Sequence, residues 1–199
     1  RMLDVVSIRM LEMEHSREKN KKFKELNFMK RHIRASEKWF VAGLVLMLLF
    51  VLTHDWVPLG NLNDLDGIRS EKTWDGLLLA TVLNGLSFLI VLIITLTFLG
   101  KTCPVWARLW LVIHLFCILY GALSAWWIPY FFGTTQELVQ AYATMFGNTH
   151  AFLPVRNGIV PNTIHTMFHL TLLLTWLLSI HIAATGGRKT KRTKEADHA

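Results

Sequence analysis

Residues 77–100, 109–133 and 157–187 contain no Asp, Glu, Lys or Arg. A helix of about 20 apolar residues, rising ~1.5 Å per residue, crosses the ~30 Å hydrocarbon slab of a bilayer. Backbone in that slab must satisfy its own hydrogen bonds, so such runs are expected to be helical. None of them alternates strictly between apolar and polar residues, which argues against barrel strands. A fourth apolar run covers about 39–59, with Lys38 and Trp39 marking one interface and Trp56 with Pro58 the other. The expected fold is therefore all-α: a polytopic membrane protein built as a four-transmembrane-helix bundle. Its spans are expected at about 39–59, 77–99, 109–132 and 163–184, within a transmembrane domain covering 39–184.

The remaining charge is distributed unevenly. Of the 21 Lys and Arg residues, 11 fall in 1–38 and five in 185–199, whereas 60–76 holds two against four acids. Across the expected topology, 18 basic residues lie on the side of the tails and the 101–108 turn, and three on the other. By the positive-inside rule, both basic termini, 1–38 and 185–199, are expected in the cytoplasm, with the chain multi-pass in a cell (inner) membrane. Topology thus accounts for the net charge of +7, and nucleic acid is not an expected partner. Residues 17–35 are expected to form a basic helix lying on anionic lipid, or else a solvated tail. The lipid bilayer is the primary expected partner.

The connections carry turn chemistry. Residues 60–76 are rich in Gly, Asn and Asp and read as an exposed loop; NDLDG lacks the spacing of a calcium-binding EF-hand. Between the third and fourth spans, Thr134 followed by Glu137 fits a capping box. Leu138, Ala141, Tyr142 and Met145 then recur at helical spacing, predicting a short amphipathic interfacial helix over 135–146 closed by Gly147. The stretch to Asn162 is too apolar for a free loop and is expected to pack over the bundle mouth as a lid, with Asn162 capping the fourth span. Trp126, Trp127, Tyr130, Phe131 and Phe132 read as an interfacial aromatic belt.

Polar side chains inside the slab are costly, about 2.5–3.5 kcal/mol for a central charge on insertion scales, and mark function or packing. The direction of each span places His54, Asp55, Asn84, Tyr120, Ser124, His165 and His169 in one outer-leaflet layer, the candidate ligand pocket. His165 and His169 are four apart, on one helical face. With His54, Asp55 or His150 they make a candidate three- or four-ligand site for a divalent metal ion, although HxxxH alone is a weak motif. The same residues also suit proton handling. Haem between His114 and His181, or between His54 and the fourth span, is less favoured, because the twelve residues from His169 to His181 turn the helix by about 120°.

Cys103 and Cys117 form neither a CxxC nor a zinc spacing, which disfavours thiol–disulfide chemistry. No phosphate-binding glycine loop or serine elbow is present, which disfavours ATPases, kinases and common hydrolases. The expected function is a ligand-binding or complex-subunit helical bundle with a polar outer-leaflet pocket, taking a small apolar ligand or a membrane-protein partner. The alternative is a membrane-embedded metal- or haem-dependent enzyme or redox protein using the histidines.

Overall fold

The computed structural model describes residues 13–18 and 32–185. Six helices organise the long segment: α1 (Ala35–Thr53), α2 (Leu65–Glu71), α3 (Trp74–Phe98), α4 (Val105–Phe132), α5 (Gln136–Phe146) and α6 (Thr163–Thr185). No strand occurs among the described residues. Most of the expected basic helix at 17–35 lies outside them, as does the tail from 186; residues 32–34 are not helical.

Helices α1, α3, α4 and α6 are long and apolar enough to cross a membrane. Each also presents large aliphatic side chains outward: Leu46 is 57% exposed, Leu79 59%, Ile113 60% and Leu174 61%. Unbroken apolar faces of this kind on every long helix are stable against lipid rather than water. The chain is an all-α, polytopic membrane protein with a four-helix transmembrane bundle.

The boundaries differ from expectation for local reasons. The first helix starts at Ala35, four residues early, because the Glu37 carboxylate accepts the Arg34 backbone N–H at 2.9 Å, the return arm of a capping box. It stops at Thr53, six residues early. There the Asn63 amide donates to the His54 and Val57 carbonyls at 2.6 and 2.8 Å and accepts from Leu59 N–H at 2.7 Å, gathering 54–59 into a turn. Helix α3 begins at Trp74, capped by Thr73, whose hydroxyl oxygen accepts from Gly76 N–H. Helix α4 begins directly after Pro104. It accommodates Arg108 because the guanidinium donates to the Ala183 carbonyl at 2.7 Å, near the end of α6, where a cation is favoured by the helix dipole.

Helix α6 packs against both α1 and α4, and α3 packs against α1, its Phe88 ring reaching Phe168 of α6 at 6.1 Å. The core runs through Phe40, Leu44, Met47, Val51, Phe88, Val91, Leu111, Leu115, Leu119 and Leu172. Gly43 lets α1 come close to α6: a Cβ there would collide with the Thr175 hydroxyl.

Near its far end α4 widens into a π-turn over Leu123–Trp127, with Ile128 N–H donating to Leu123 O. Pro129 explains the disturbance: it has no N–H to give the Ala125 carbonyl one turn back. The Tyr142 hydroxyl, arriving from α5, donates to that carbonyl instead. Helix α5 is strongly amphipathic and lies across the bundle mouth. Its cap is Thr135 rather than Thr134, since the Thr135 hydroxyl is the one in register to accept Leu138 N–H. Ile68, Leu77 and Met145, with Trp56, Ala141 and Phe146 around them, form a second small core joining α5 to α2 and the start of α3. Gly67 permits that contact, because a Cβ there would meet the Thr144 carbonyl. This end is the capped end; the opposite end carries Arg34, the 99–104 turn and Thr185.

Candidate functional site

The capped end gathers three of the expected histidines with Asp55 and a set of aromatic rings. His54 lies in the turn after α1, stacked on Phe50 with ring centroids 4.3 Å apart. His165, in the first turn of α6, meets the His54 ring edge-on at 5.5 Å and lies 4.6 Å from the Trp126 ring. His169 follows one turn deeper, its ring 6.2 Å from that of His165. Phe146 of α5 and Phe168 of α6 close the remaining sides.

The hydrogen-bond partners fix where the protons are. His54 Nδ1 is 3.0 Å from the Phe50 carbonyl, which only accepts, so Nδ1 carries hydrogen. His54 Nε2 lies 3.1 Å from Asp55 Oδ1. The two groups make an ion pair when the imidazole carries a proton on both nitrogens. Burial lifts the Asp55 carboxyl above its ordinary value, and the His54 charge pulls against that rise.

Asn162 sets the next ring. Its Oδ1 accepts His165 N–H at 3.1 Å while its amide nitrogen faces the Leu62 carbonyl at 3.5 Å. His165 Nδ1, 2.7 Å from the same Oδ1, is therefore the donor, leaving Nε2 as a lone pair. His169 has the opposite tautomer: Trp127 Nε1, a donor only, gives its hydrogen to His169 Nδ1 at 3.2 Å. The three imidazoles thus have defined and unequal roles.

The other expected site residues are placed elsewhere. Ser124 sits in the π-turn, its hydroxyl buried with no hydrogen-bond partner. Tyr120 is 59% exposed on the outward face of α4. Asn84 is exposed on α3 and hydrogen-bonds to no described residue. Tyr120 leaves α4 on a side that no other span covers, and Asn84, although on the face of α3 that carries buried Phe88 and Val91, is exposed at its own level. His150 also stands apart, its Nδ1 2.7 Å from Thr163 Oγ1. Its backbone N–H donates to Asn61 O and its carbonyl accepts from Thr163 N–H, so it stitches the lid to the first connection. Among the described residues no three His, Cys, Asp or Glu side chains are grouped to hold a metal ion, so His150, His165 and His169 do not form one ligand set. As for the inner haem pair, His114 stacks on Trp110, and His181 is exposed.

Sequence reasoning missed most of the aromatic wall. Trp126, read as part of a belt, is only 7% exposed, because the π-turn rotates it inward. Pro129, four residues after Ala125, was the available signal for that rotation. Tyr142 is fixed in the same way: burial raises its phenol to about 12, so it remains a donor to Ala125 across the ordinary pH range. The lid is tied down beside it, with Tyr130 donating to the Pro154 carbonyl at 3.0 Å and Asn157 donating to the Tyr130 carbonyl at 3.0 Å. Asn157 and Gly158 take positive φ, 51° and 77°, to make the tight turn between Arg156 and Ile159.

No protein-family model matches the chain, and neither a curated protein nor a solved structure shows significant similarity to it. The class is that of a small integral membrane helical protein.

Proposed function

We propose that this protein is a ligand-binding subunit of an inner membrane, with both termini cytoplasmic and the capped end facing outward. In this reading His54, Asp55, His165 and His169, walled by Trp126, Trp127, Phe50, Phe146 and Phe168, form a site under the 147–162 lid. The ligand is small and largely apolar, with one polar end able to take or give a proton. The observation that carries this reading is the pairing of His54 Nε2 with Asp55 Oδ1 at 3.1 Å, beside an aromatic surface. A site walled by aromatic rings with a few placed polar groups is the usual chemistry of small-molecule recognition. The basic asymmetry of the sequence supports the orientation.

Native mass spectrometry of the full chain, released from lipid nanodiscs, tests the proposal. A small molecule should accompany the wild type stoichiometrically and be lost from His54→Gln and Trp126→Ala, with helical circular dichroism retained. Equal occupancy in all three proteins, or none in the wild type, would sink it.

The alternative of a metal- or haem-dependent enzyme is favoured by one observation, the His165 and His169 rings 6.2 Å apart on successive turns. Two side chains alone make a weak site, so a metal would need further ligands from solvent or substrate. Metal analysis decides this reading: stoichiometric metal, or a haem Soret band, should disappear in His165→Ala or His169→Ala. Metal-free, colourless wild-type protein would end it.

A further inference from the structure

The imidazole nitrogens of the capped end are unevenly used. His54 Nδ1 is held by the Phe50 carbonyl and its Nε2 by Asp55, His165 Nδ1 by Asn162 Oδ1, and His169 Nδ1 by Trp127 Nε1. That leaves His165 Nε2 and His169 Nε2. Neither hydrogen-bonds to a described residue, and neither is shut away as His114 Nε2 is, so both open onto free space. Their chemistry is opposite. Asn162 Oδ1 already accepts the His165 backbone N–H, so His165 Nδ1 is a donor and Nε2 keeps the lone pair. Trp127 Nε1 can only donate, so His169 Nδ1 is the acceptor and Nε2 carries hydrogen. Neither ring has a carboxylate partner among the described residues, since Asp55 pairs with His54, and both are neutral.

We infer, on the ligand reading of this site, that its ligand carries an un-ionised hydroxyl on an aromatic ring, the O–H donating to His165 Nε2 and the oxygen accepting from His169 Nε2–H. One lone pair and one N–H stand on successive turns of α6, with ring centroids 6.2 Å apart. Two hydrogen bonds of about 2.8 Å each, made through a single oxygen, span a gap of that order. An oxygen that both gives and takes a hydrogen is a hydroxyl. An ether or a carboxylate only accepts and leaves the His165 lone pair unmet; an ammonium only donates and leaves the His169 N–H unmet. The walls match a flat ring: Trp126 lies 4.6 Å and Phe146 5.2 Å from the His165 ring, and Phe168 5.7 Å from that of His169, surfaces on which an aromatic group stacks or meets edge-on. Asn162 and Trp127 act as positioning residues, each setting a tautomer through the ring nitrogen that the ligand does not touch.

Two measurements on the full chain in lipid nanodiscs test this. Nitrogen NMR of ligand-free protein with isotope-labelled histidine should show His165 protonated at Nδ1 and His169 at Nε2, the signals assigned by His165→Phe and His169→Phe. Trp127→Phe should leave His169 as a mixture of tautomers, which loss of packing alone would not do. The same tautomer at both rings, or a cationic ring at either at neutral pH, overturns the inference. Fluorine NMR titration, corrected for partition into empty nanodiscs, should find para-fluorophenol bound about tenfold or more tighter than para-fluoroanisole or para-fluorobenzoate, the loss expected when a buried acceptor is left unpaired. His165→Phe should bring that ratio down to about one. Equal binding of phenol and anisole by the wild type overturns the hydroxyl and leaves the ligand site standing. If no fluorinated probe binds while the wild type carries another small molecule in native mass spectrometry, the hydroxyl fails alone; if it carries none, the ligand reading fails with it.

Discussion

The two ends of the same bundle solve the problem of helix termini differently. At the capped end side-chain hydrogen bonds, some local and some from distant parts of the chain, hold the loops in place. Asn63 holds the turn after α1, Asn162 both caps α6 and orients His165, and Tyr142 completes the α4 carbonyl that Pro129 leaves open. At the opposite end the connection is short, and two arginines settle on the last turn of α6: Arg34 on the Thr185 hydroxyl and Arg108 on the Ala183 carbonyl, each at 2.7 Å. Arg34 Nε and Arg108 Nε are nonetheless buried without a hydrogen-bond partner. One end is specified by directional bonds among loops, the other mainly by charge against a helix dipole. A chain that needed only to be anchored would have no use for the first arrangement.

The most disruptive way to break this comparison is to strike the shared middle. Gly43→Leu forces a side chain into Thr175 and should cost about 3 kcal/mol, loosening both ends together; chemical unfolding in detergent would register it. Tyr142→Phe is narrower. It leaves the exposed Ala125 carbonyl without its donor, the loss of one hydrogen bond at about 0.5–1.5 kcal/mol. Hydrogen exchange should then accelerate over 123–146 and remain unchanged over 35–45; a uniform increase would contradict the separation of the two ends. Arg108→Gln should cost about 1 kcal/mol or less, with the loss confined to the end of α6.

The smallest expected effects are titrations. The Tyr142 phenol is raised to about 12 by burial. A group whose value is raised on folding supplies stability below its unfolded value, near 10, and loses it as pH climbs through 12. One tyrosine should accordingly ionise late by near-ultraviolet absorbance, and Tyr142→Phe should remove that step. Asp64 behaves oppositely. Gly67 N–H and then the Asn148 amide hold its carboxyl below the ordinary 3.8. Its contribution is therefore present above that value and fades as pH falls through the depressed one. Because Asp64 is largely solvated, Asp64→Asn should shift the acid midpoint of the capped end only slightly. Asp55 follows the tyrosine sign: burial raises it, so its contribution is lost as pH rises from 3.8 through the raised value, and Asp55→Asn should flatten that part of the profile.

Much of this was legible in the residues. Lengths of apolar runs and the charges at their edges located four spans to within six residues at every boundary. Thr–x–x–Glu spacing found α5 within one residue, and Asn162 was placed as a cap by its type alone. The candidate site was legible only in part. The His54 and His165 rings meet at 5.5 Å, the His165 and His169 rings at 6.2 Å, and Asp55 lies against His54, whereas Asn84 and Tyr120 are exposed.

The amino-acid sequence determined what had to be buried in lipid, because hydrocarbon thickness and the cost of unpaired charge act on composition and length, which are local quantities. Which side of each helix faces its neighbours was decided by the tertiary structure. Spanning helices are apolar all round, so periodicity gives no bearing, and one π-turn at Pro129 was enough to carry Trp126 from an expected rim position into the interior. The His169 tautomer was decided there too, since it depends on Trp127, 42 residues away in the chain.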